Sequence, residues 1–353
     1  MSIWSNPWGG GFNGEVVHNV FEKIISLENL FLAWKEFRYE KRNKPDVIKF
    51  EFNLEDNLFE LHGQLRNKIY RHSNYSTFNI CDPKLRKINK AIVVDRVLHH
   101  AVFRILYPIF DSNFIFDSYF CRTEKGTHRA VKRLEKFCRK LSQNNHKIIY
   151  ALKCDIRKFF DSIDQNILLE ITKAKIKDEN VLWLIEKIIR SFEIEKNRGL
   201  PLGNVTSQLF ANIYLNELDQ FIKHKLKVKY YLRYSDDFVI LSDDKLYLKK
   251  LVFEISNFLK IRLKLFLHPN KVEIRKFSRG IDFLGYVVLP HYIALRTKTK
   301  KRIFKKISKK YEDLKNKKIS EKSFEQSSQS YLGILKHCKG NVIERKIKNS
   351  IIS

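Results

Sequence analysis

The spacing of apolar positions predicts a helical chain interrupted by a few short strands. Leu27, Leu30, Phe31, Trp34 and Phe37 recur at helical spacing and predict a helix over residues 26–41. Leu58, Leu61, Leu65 and Ile69 predict a second over 54–69. Asp82-Pro83 reads as a turn, and residues 86–94 as a strand with basic punctuation. Asp95 reads as the N-cap of a helix reaching Ile109, with Val97, Leu98, Ala101, Val102, Ile105 and Leu106 as its stripe. Further helices are expected over 127–141, across 165–192, over 205–221 and over 246–263. Residues 148–156 form an apolar run that ends on carboxylate-bearing Asp155 before Ile156, as a buried strand would. Residues 230–234 and 238–241 predict a hairpin joined by Ser235-Asp236-Asp237. Residues 271–274 and 283–288 read as short strands, and the chain is basic and helical from Thr297 onward. The first 15 residues, with Trp4, Trp8 and Gly9-Gly10-Gly11, read as an extended arm. The order predicts an α+β fold with a largely antiparallel sheet, not alternating βαβ units.

Charge narrows the partner. The 353 residues hold 68 Lys and Arg against 39 Asp and Glu, a formal net charge of +29 spread from end to end. A small substrate does not need such a charge, whereas a polyanion does, and nucleic acid is the leading partner. No apolar run reaches the roughly 18–20 residues of a membrane helix, and no signal peptide or myristoylation site is visible at the N-terminus. Cys81, Cys121, Cys138, Cys154 and Cys338 have neither CxxC nor zinc-site spacing, which favours reduced thiols and a cytoplasmic setting.

The candidate chemistry lies in the acids. Asp155 ends one apolar run, and Asp236-Asp237 separate two others. Carboxylates at the ends of buried strands are costly unless a cation joins them. Three acids meeting at a sheet surface make a hard oxygen site for Mg²⁺. Two such ions about 3.5–4 Å apart clamp an in-line nucleotidyl transfer. Turn and strand-end aspartates without metal remain the alternative on these residues alone.

The neighbouring motifs are more specific. Tyr234-Ser235-Asp236-Asp237 resembles the YxDD box of reverse transcriptases. The stretch from Asp155 through Phe160 to Asp164 resembles their other acidic motif, in the form found in group II intron-like bacterial enzymes. Residues 199–208, Gly-Leu-Pro-Leu-Gly-Asn-Val-Thr-Ser-Gln, resemble the motif that contacts template and incoming nucleotide. Arg86-Lys87 match the fingers motif, Ser118-Tyr119 through Gly126-Thr127-His128 the stretch after it, and Phe283-Leu284-Gly285-Tyr286 the primer grip. All fall in family order between about residues 80 and 290. Leu202 stands where most of the family has Gln, a departure similar to the form in diversity-generating retroelements. Segments Glu28–Trp34, Lys44–Asp46 and Phe50–Leu58 also resemble that group. An antiphage defence enzyme copying a noncoding RNA is the alternative within the family.

The resemblance implies roles. Asp155, Asp236, Asp237 and the Ile156 carbonyl would hold two Mg²⁺ ions, with Mn²⁺ the alternative metal. Arg86 and Lys87 would grip the triphosphate, unless they are plain surface charges. Phe160 would be the ring that excludes a 2′-hydroxyl, or else packs in the core. Lys271 would protonate pyrophosphate. Leu202, Gly203, Ser207 and Gln208 would lie near the templating pair. The implied architecture is a right-hand polymerase: an N-terminal extension over 1–80, fingers over 81–150, a palm over 151–290 with a helical insertion over about 165–198, and a basic thumb over 291–353. Implied partners are template RNA, the RNA–DNA heteroduplex, deoxynucleoside triphosphates and a small basic pentameric accessory protein. No membrane is implied, and the implied setting is the cytoplasm of a bacterium or archaeon, or a phage-encoded enzyme.

Overall fold

A capped helix sets the first layer. The Ser26 hydroxyl accepts a hydrogen bond from the Asn29 amide (3.2 Å) and starts α2 (Leu27–Arg38), just after α1 (Val20–Ile25). The computed structural model describes residues 20–81, 85–341 and 343–345, so the expected arm and the Asp82-Pro83 turn lie outside the described residues. The chain divides into two units, one holding residues up to 121, 155–229 and 253–269, the other 122–154, 230–252 and 270 onward.

The first unit is mainly helical. After α2 come α3 (Pro45–Phe52), α4 (Leu54–Arg66), strands β1 (Ser76–Cys81) and β2 (Leu85–Lys90), and α5 (Val93–Asp111). Leu30, Ala33, Trp34 and Phe37 are buried on α2, and Val97, Leu98, Ala101, Val102 and Leu106 on α5, which packs against it. Asn29 is buried at this contact. Its amide donates to the Ile24 carbonyl (2.9 Å) and the Ala101 carbonyl (3.1 Å), so its polar atoms are satisfied inside the helix layer. The apolar spacing of residues 45–52 is too short to separate a helix from a loop. Pro45 supplies the start, since it loses nothing at a first helical position.

Two expectations change here. The strand over 86–94 ends at Lys90, and the N-cap is Ile92, with the helix already running at Val93. Asp95 is therefore inside the first turn and fully buried. It accepts from the Tyr70 hydroxyl (2.7 Å) and the Ser73 amide (3.1 Å), which anchor the segment before β1. Burial, with the Asp95 charge beside it, pushes the Tyr70 hydroxyl far above its ordinary pKa, so it remains a donor.

Downstream in the same unit lie α7 (Phe159–Ser162), α8 (Gln165–Lys175), α9 (Glu179–Arg190) and α10 (Val205–Gln220), which continues as a π-helical turn over Phe221–Lys225. Asp164 and Asp178 cap α8 and α9 through their carboxylates. Burial raises the Asp164 pKa, but the Lys264 ammonium 2.7 Å away and the two helix amides outweigh it and hold the carboxyl below its ordinary range.

The second unit holds the larger sheet. α6 (Thr127–Leu141) buries Ala130, Val131, Leu134, Phe137 and Cys138 and packs on β4 (Tyr231–Tyr234) and β5 (Asp237–Ser242). The strand order is β4-β5-β3-β6, with β3 (Tyr150–Asp155) beside β5 and β6 (Glu273–Lys276) at one edge. β4 and β5 are antiparallel, as are β3 and β6. The strand expected over 271–274 is thus shifted, because Glu273 pairs with Lys153 and Lys276 with Tyr150. α11 (Lys245–Leu263) precedes it.

The strand expected over 283–288 is two strands. β7 (Ile281–Phe283) and β8 (Tyr286–Val288) form a hairpin, completed to a small sheet by β9 (Ile293–Leu295). Leu284 (φ 51°) and Gly285 (φ 86°) both lie in the left-handed region, as a tight two-residue hairpin turn requires. Helices α12 (Thr297–Lys315) and α13 (Glu321–Leu335) pack together beyond it, and α12 buries only Ile303 and Ile307.

Asp95→Ala should destabilise the protein by about 2 kcal/mol, because the buried Tyr70 hydroxyl and the half-buried Ser73 amide lose their acceptor. The midpoint of thermal unfolding should fall, and an unchanged midpoint would remove Asp95 from the structural core.

Candidate functional site

The apolar residues of β4 and β5 force two acids outward. Tyr231, Leu232, Phe238, Val239 and Ile240 are fully buried, and the register pairs Tyr234 with Asp237. The connecting turn is therefore Ser235-Asp236, with Asp237 as the first residue of β5, a tighter hairpin than the three-residue connection expected. Ser235 has φ 55° and is almost wholly buried, while Asp236 and Asp237 are half-buried. The Tyr234 hydroxyl accepts from the Thr127 hydroxyl (3.2 Å) at the start of α6.

Asp155 is the last residue of β3, the strand next to β5, and is 9% exposed. Beyond it the chain is held by residues 266–268. The His268 amide donates to the Asp155 carbonyl (2.8 Å), and the Arg157 amide to the Phe266 carbonyl (2.9 Å). In this antiparallel bridge between Ile156 and Leu267, the Ile156 carbonyl turns to the opposite side of the chain from 266–268. That orientation suits the backbone ligand expected of Ile156. The donor set of carboxylates plus a carbonyl is hard oxygen, the kind Mg²⁺ takes. Among the described residues no group of three or more His, Cys, Asp or Glu side chains could hold a metal ion, so the three expected carboxylates are not drawn together into one ready ligand set. Mg²⁺ does not require one, since it keeps waters and commonly takes one or two carboxylates plus substrate phosphates.

The first unit gathers most of the other expected residues. The Leu200 amide donates to the Phe160 carbonyl and the Gly199 amide to the Ile163 carbonyl, both at 2.9 Å. The Asn89 amide of β2 donates to the Leu202 carbonyl (3.0 Å). Phe160 is half-buried, with its ring edge-on to Phe159 at 5.3 Å, and Leu202 is half-buried. Gly203 has φ 119°, and a Cβ there would meet the Ile88 side chain at 3.1 Å. Ser207 (buried) and Gln208 (half-buried) occupy the first turn of α10.

The ribbon separates Arg86 from Lys87. Ile80 pairs with Arg86 and Phe78 with Ile88, while Asn79 pairs with Lys87. Paired residues share a face and neighbours alternate, so Arg86 lies on the Ile88 face, which meets Gly203, and Lys87 on the other. Lys271 lies in the turn leading into β6.

Two residues escaped the sequence reading. Arg233 is fully buried in β4 and donates to the Ser235 carbonyl (3.1 Å). A lone cation inside the run Tyr230-Tyr231-Leu232-Arg233-Tyr234 was the available signal. Asn204 is 3% exposed at the N-cap of α10, and neither polar atom of its side chain has a partner among the described residues. Only its position before the helix could have singled it out.

The sequence profile described as Reverse transcriptase (RNA-dependent DNA polymerase) matches residues 74–288, more than half of the chain. The chain belongs to the reverse transcriptase family. Relatives include Protein YkfC of Escherichia coli K12, 25% identical over 241 residues that cover 58% of this chain and 63% of YkfC. Group II intron-encoded protein LtrA of Lactococcus lactis subsp. cremoris is 30% identical over 153 residues, covering 42% of this chain and 24% of LtrA. Nuclear intron maturase 1 of Arabidopsis thaliana is 21% identical over 309 residues, covering 58% and 42%. This reverse transcriptase chain thus matches less than two thirds of the length of these relatives. Among solved structures, truncated apo telomerase from Candida tropicalis aligns with TM-score 0.48 and 16% identity over 64% of this chain and 55% of that one. Telomerase from Candida albicans with a TWJ fragment of telomeric RNA aligns with TM-score 0.49 and 13% identity over 70% and 51%. Among the described residues no helix is long and apolar enough to cross a membrane.

Gly203→Ala should distort the tie between the Leu202 loop and β2, because the new methyl meets Ile88 and the backbone stays at positive φ. A loss of about 1–3 kcal/mol is expected, read as a lower unfolding midpoint. A midpoint equal to wild type would mean the loop relaxes freely.

Proposed function

We propose that this reverse transcriptase is an RNA-directed DNA polymerase that copies an RNA template into cDNA by two-metal nucleotidyl transfer. The observation that carries the reading is the buried hairpin presenting Asp236 and Asp237 beside the strand that ends on Asp155, inside a chain of this family. Asp155, Asp236, Asp237 and the Ile156 carbonyl would hold two Mg²⁺ ions, or Mn²⁺ in their place. Bound metal would lower the pKa of the primer 3′-hydroxyl and neutralise the triphosphate and the departing pyrophosphate.

The remaining roles belong to side chains. Arg86, on the ribbon face toward Gly203, is the better placed of the two fingers cations to bind the triphosphate. Lys271 gives a proton to the leaving pyrophosphate. The Phe160 ring, edge-on to Phe159, blocks a ribose 2′-hydroxyl. Ser207 and Gln208 sit against the templating pair. Residues 81–150 serve as fingers, 151–290 as palm and 291–353 as a basic thumb that tracks the heteroduplex through phosphate contacts. The setting is cytoplasmic.

The finer reading is a diversity-generating retroelement enzyme, error-prone at template adenines and working with a small basic accessory protein. Leu202 supports it. Leucine offers no donor or acceptor beside the nascent pair, so one polar check on pairing geometry is missing. One lost hydrogen bond is worth about 1 kcal/mol, and about 1.4 kcal/mol changes an error rate tenfold.

Primer extension on an RNA template in Mg²⁺ tests the activity. Asp236→Asn should abolish extension while RNA affinity stays near wild type, because that affinity is spread over 68 basic residues. Wild-type extension by the variant would sink the assignment. For the finer reading, Leu202→Gln should lower misincorporation opposite adenine several-fold in sequenced cDNA. Equal adenine error in the two libraries would defeat it, and low error in the wild type would favour the antiphage reading.

A further inference from the structure

We infer that Arg233 is a positioning residue that holds the Ser235-Asp236 turn, and through it the direction of the two carboxylates, an inference that rests on the reading of Asp236 and Asp237 as metal ligands. A guanidinium with no exposed surface loses its hydration, and an apolar side chain of similar size would fill the same space at less cost. Tyr231, Leu232 and Phe238 around it in the hairpin are all fully buried.

What the arginine contributes locally is a donor. Its Nη1 reaches the carbonyl of Ser235, two residues along the chain, at 3.1 Å. Ser235 is the first residue of the two-residue turn and has φ 55°, a region that costs an L-residue about 1–2 kcal/mol and suits glycine. Without the bond, Ser235 gains by returning to negative φ. That rotation turns the following peptide and carries the Asp236 and Asp237 side chains with it. The arginine and the strained serine are therefore two halves of one device: the donor keeps the carbonyl where only a left-handed residue can put it.

The device makes an unusual demand that a core role does not. Glycine at 235 removes the strain, so the turn should need the arginine less. The test uses Arg233→Met, which keeps bulk and removes the donor, each with and without Ser235→Gly. Hydrogen–deuterium exchange of peptides spanning residues 233–238 reads the turn without turnover. The Mg²⁺ concentration for half-maximal primer extension reads the carboxylates. Arg233→Met should speed exchange in the turn and raise the Mg²⁺ requirement about tenfold, the scale of one charge-assisted hydrogen bond. Adding Ser235→Gly should recover most of both. Arg233→Lys, which keeps charge and one donor, should fall between wild type and Arg233→Met, and serves if the methionine variant does not fold.

Unchanged exchange and Mg²⁺ requirement in a folded variant would overturn the inference. So would failure of Ser235→Gly to restore either, or failure of both single variants to fold, since Arg233 would then be a core residue only. A wild-type protein that does not extend primers would refute the polymerase reading, while the exchange arm would still decide the role of Arg233.

Discussion

A carboxylate cannot enter an apolar layer alone, and that constraint organises the second unit. β4 and β5 bury most of the side chains they carry, so the acids gather at their junction, where Asp236 and Asp237 stand half-buried beside the buried Ser235. β3 also ends on a carboxylate, but there Ala151, Leu152 and Cys154 are followed by an Asp155 that is only 9% exposed. The apolar strands thus fix where negative charge can stand, and α6 supports them from behind with a purely apolar face. The surrounding charge of +29 then favours any polyanion that comes near, without specifying which.

The first unit works by backbone ties more than by side chains. Phe160, Ile163, Leu200 and Leu202 are linked through main-chain hydrogen bonds among three separate segments. Such ties do not depend on side-chain identity: Leu202 takes part through its carbonyl, whatever its side chain. The same property hides them from a sequence reader, because no residue type announces a main-chain bond to a distant strand.

What was legible in the chain was whatever repeats with a period. The α2 and α6 stripes, the long apolar run to Asp155 and the hairpin around Asp236 all have enough residues for spacing to separate helix from strand. Ends and short elements were not legible. Asp95 has the composition of a cap, yet tertiary partners at Tyr70 and Ser73 claim it from inside the helix. Residues 283–288 look like one apolar strand because the turn inside them, Leu284-Gly285, carries only one conventional turn residue. Arg233 and Asn204 were overlooked because burial of a polar side chain is a property of the fold and leaves little trace in local composition.

The bond from the Asn89 amide to the Leu202 carbonyl gives the two-stranded ribbon a mechanical character. The ribbon is mostly exposed along β1 and the outer part of β2; among the described residues it is held near its root, where the Asn89 amide meets the Leu202 carbonyl, Ile88 faces Gly203 and the Lys90 ammonium lies 2.7 Å from Asp46. A rod clamped at one end turns a small rotation at the clamp into a larger displacement farther out. Arg86 rides on that rod, beyond the clamp, while Leu202 is part of the clamp itself. Any rotation of the ribbon about that root is therefore felt at Leu202, through its carbonyl, as well as farther out at Arg86.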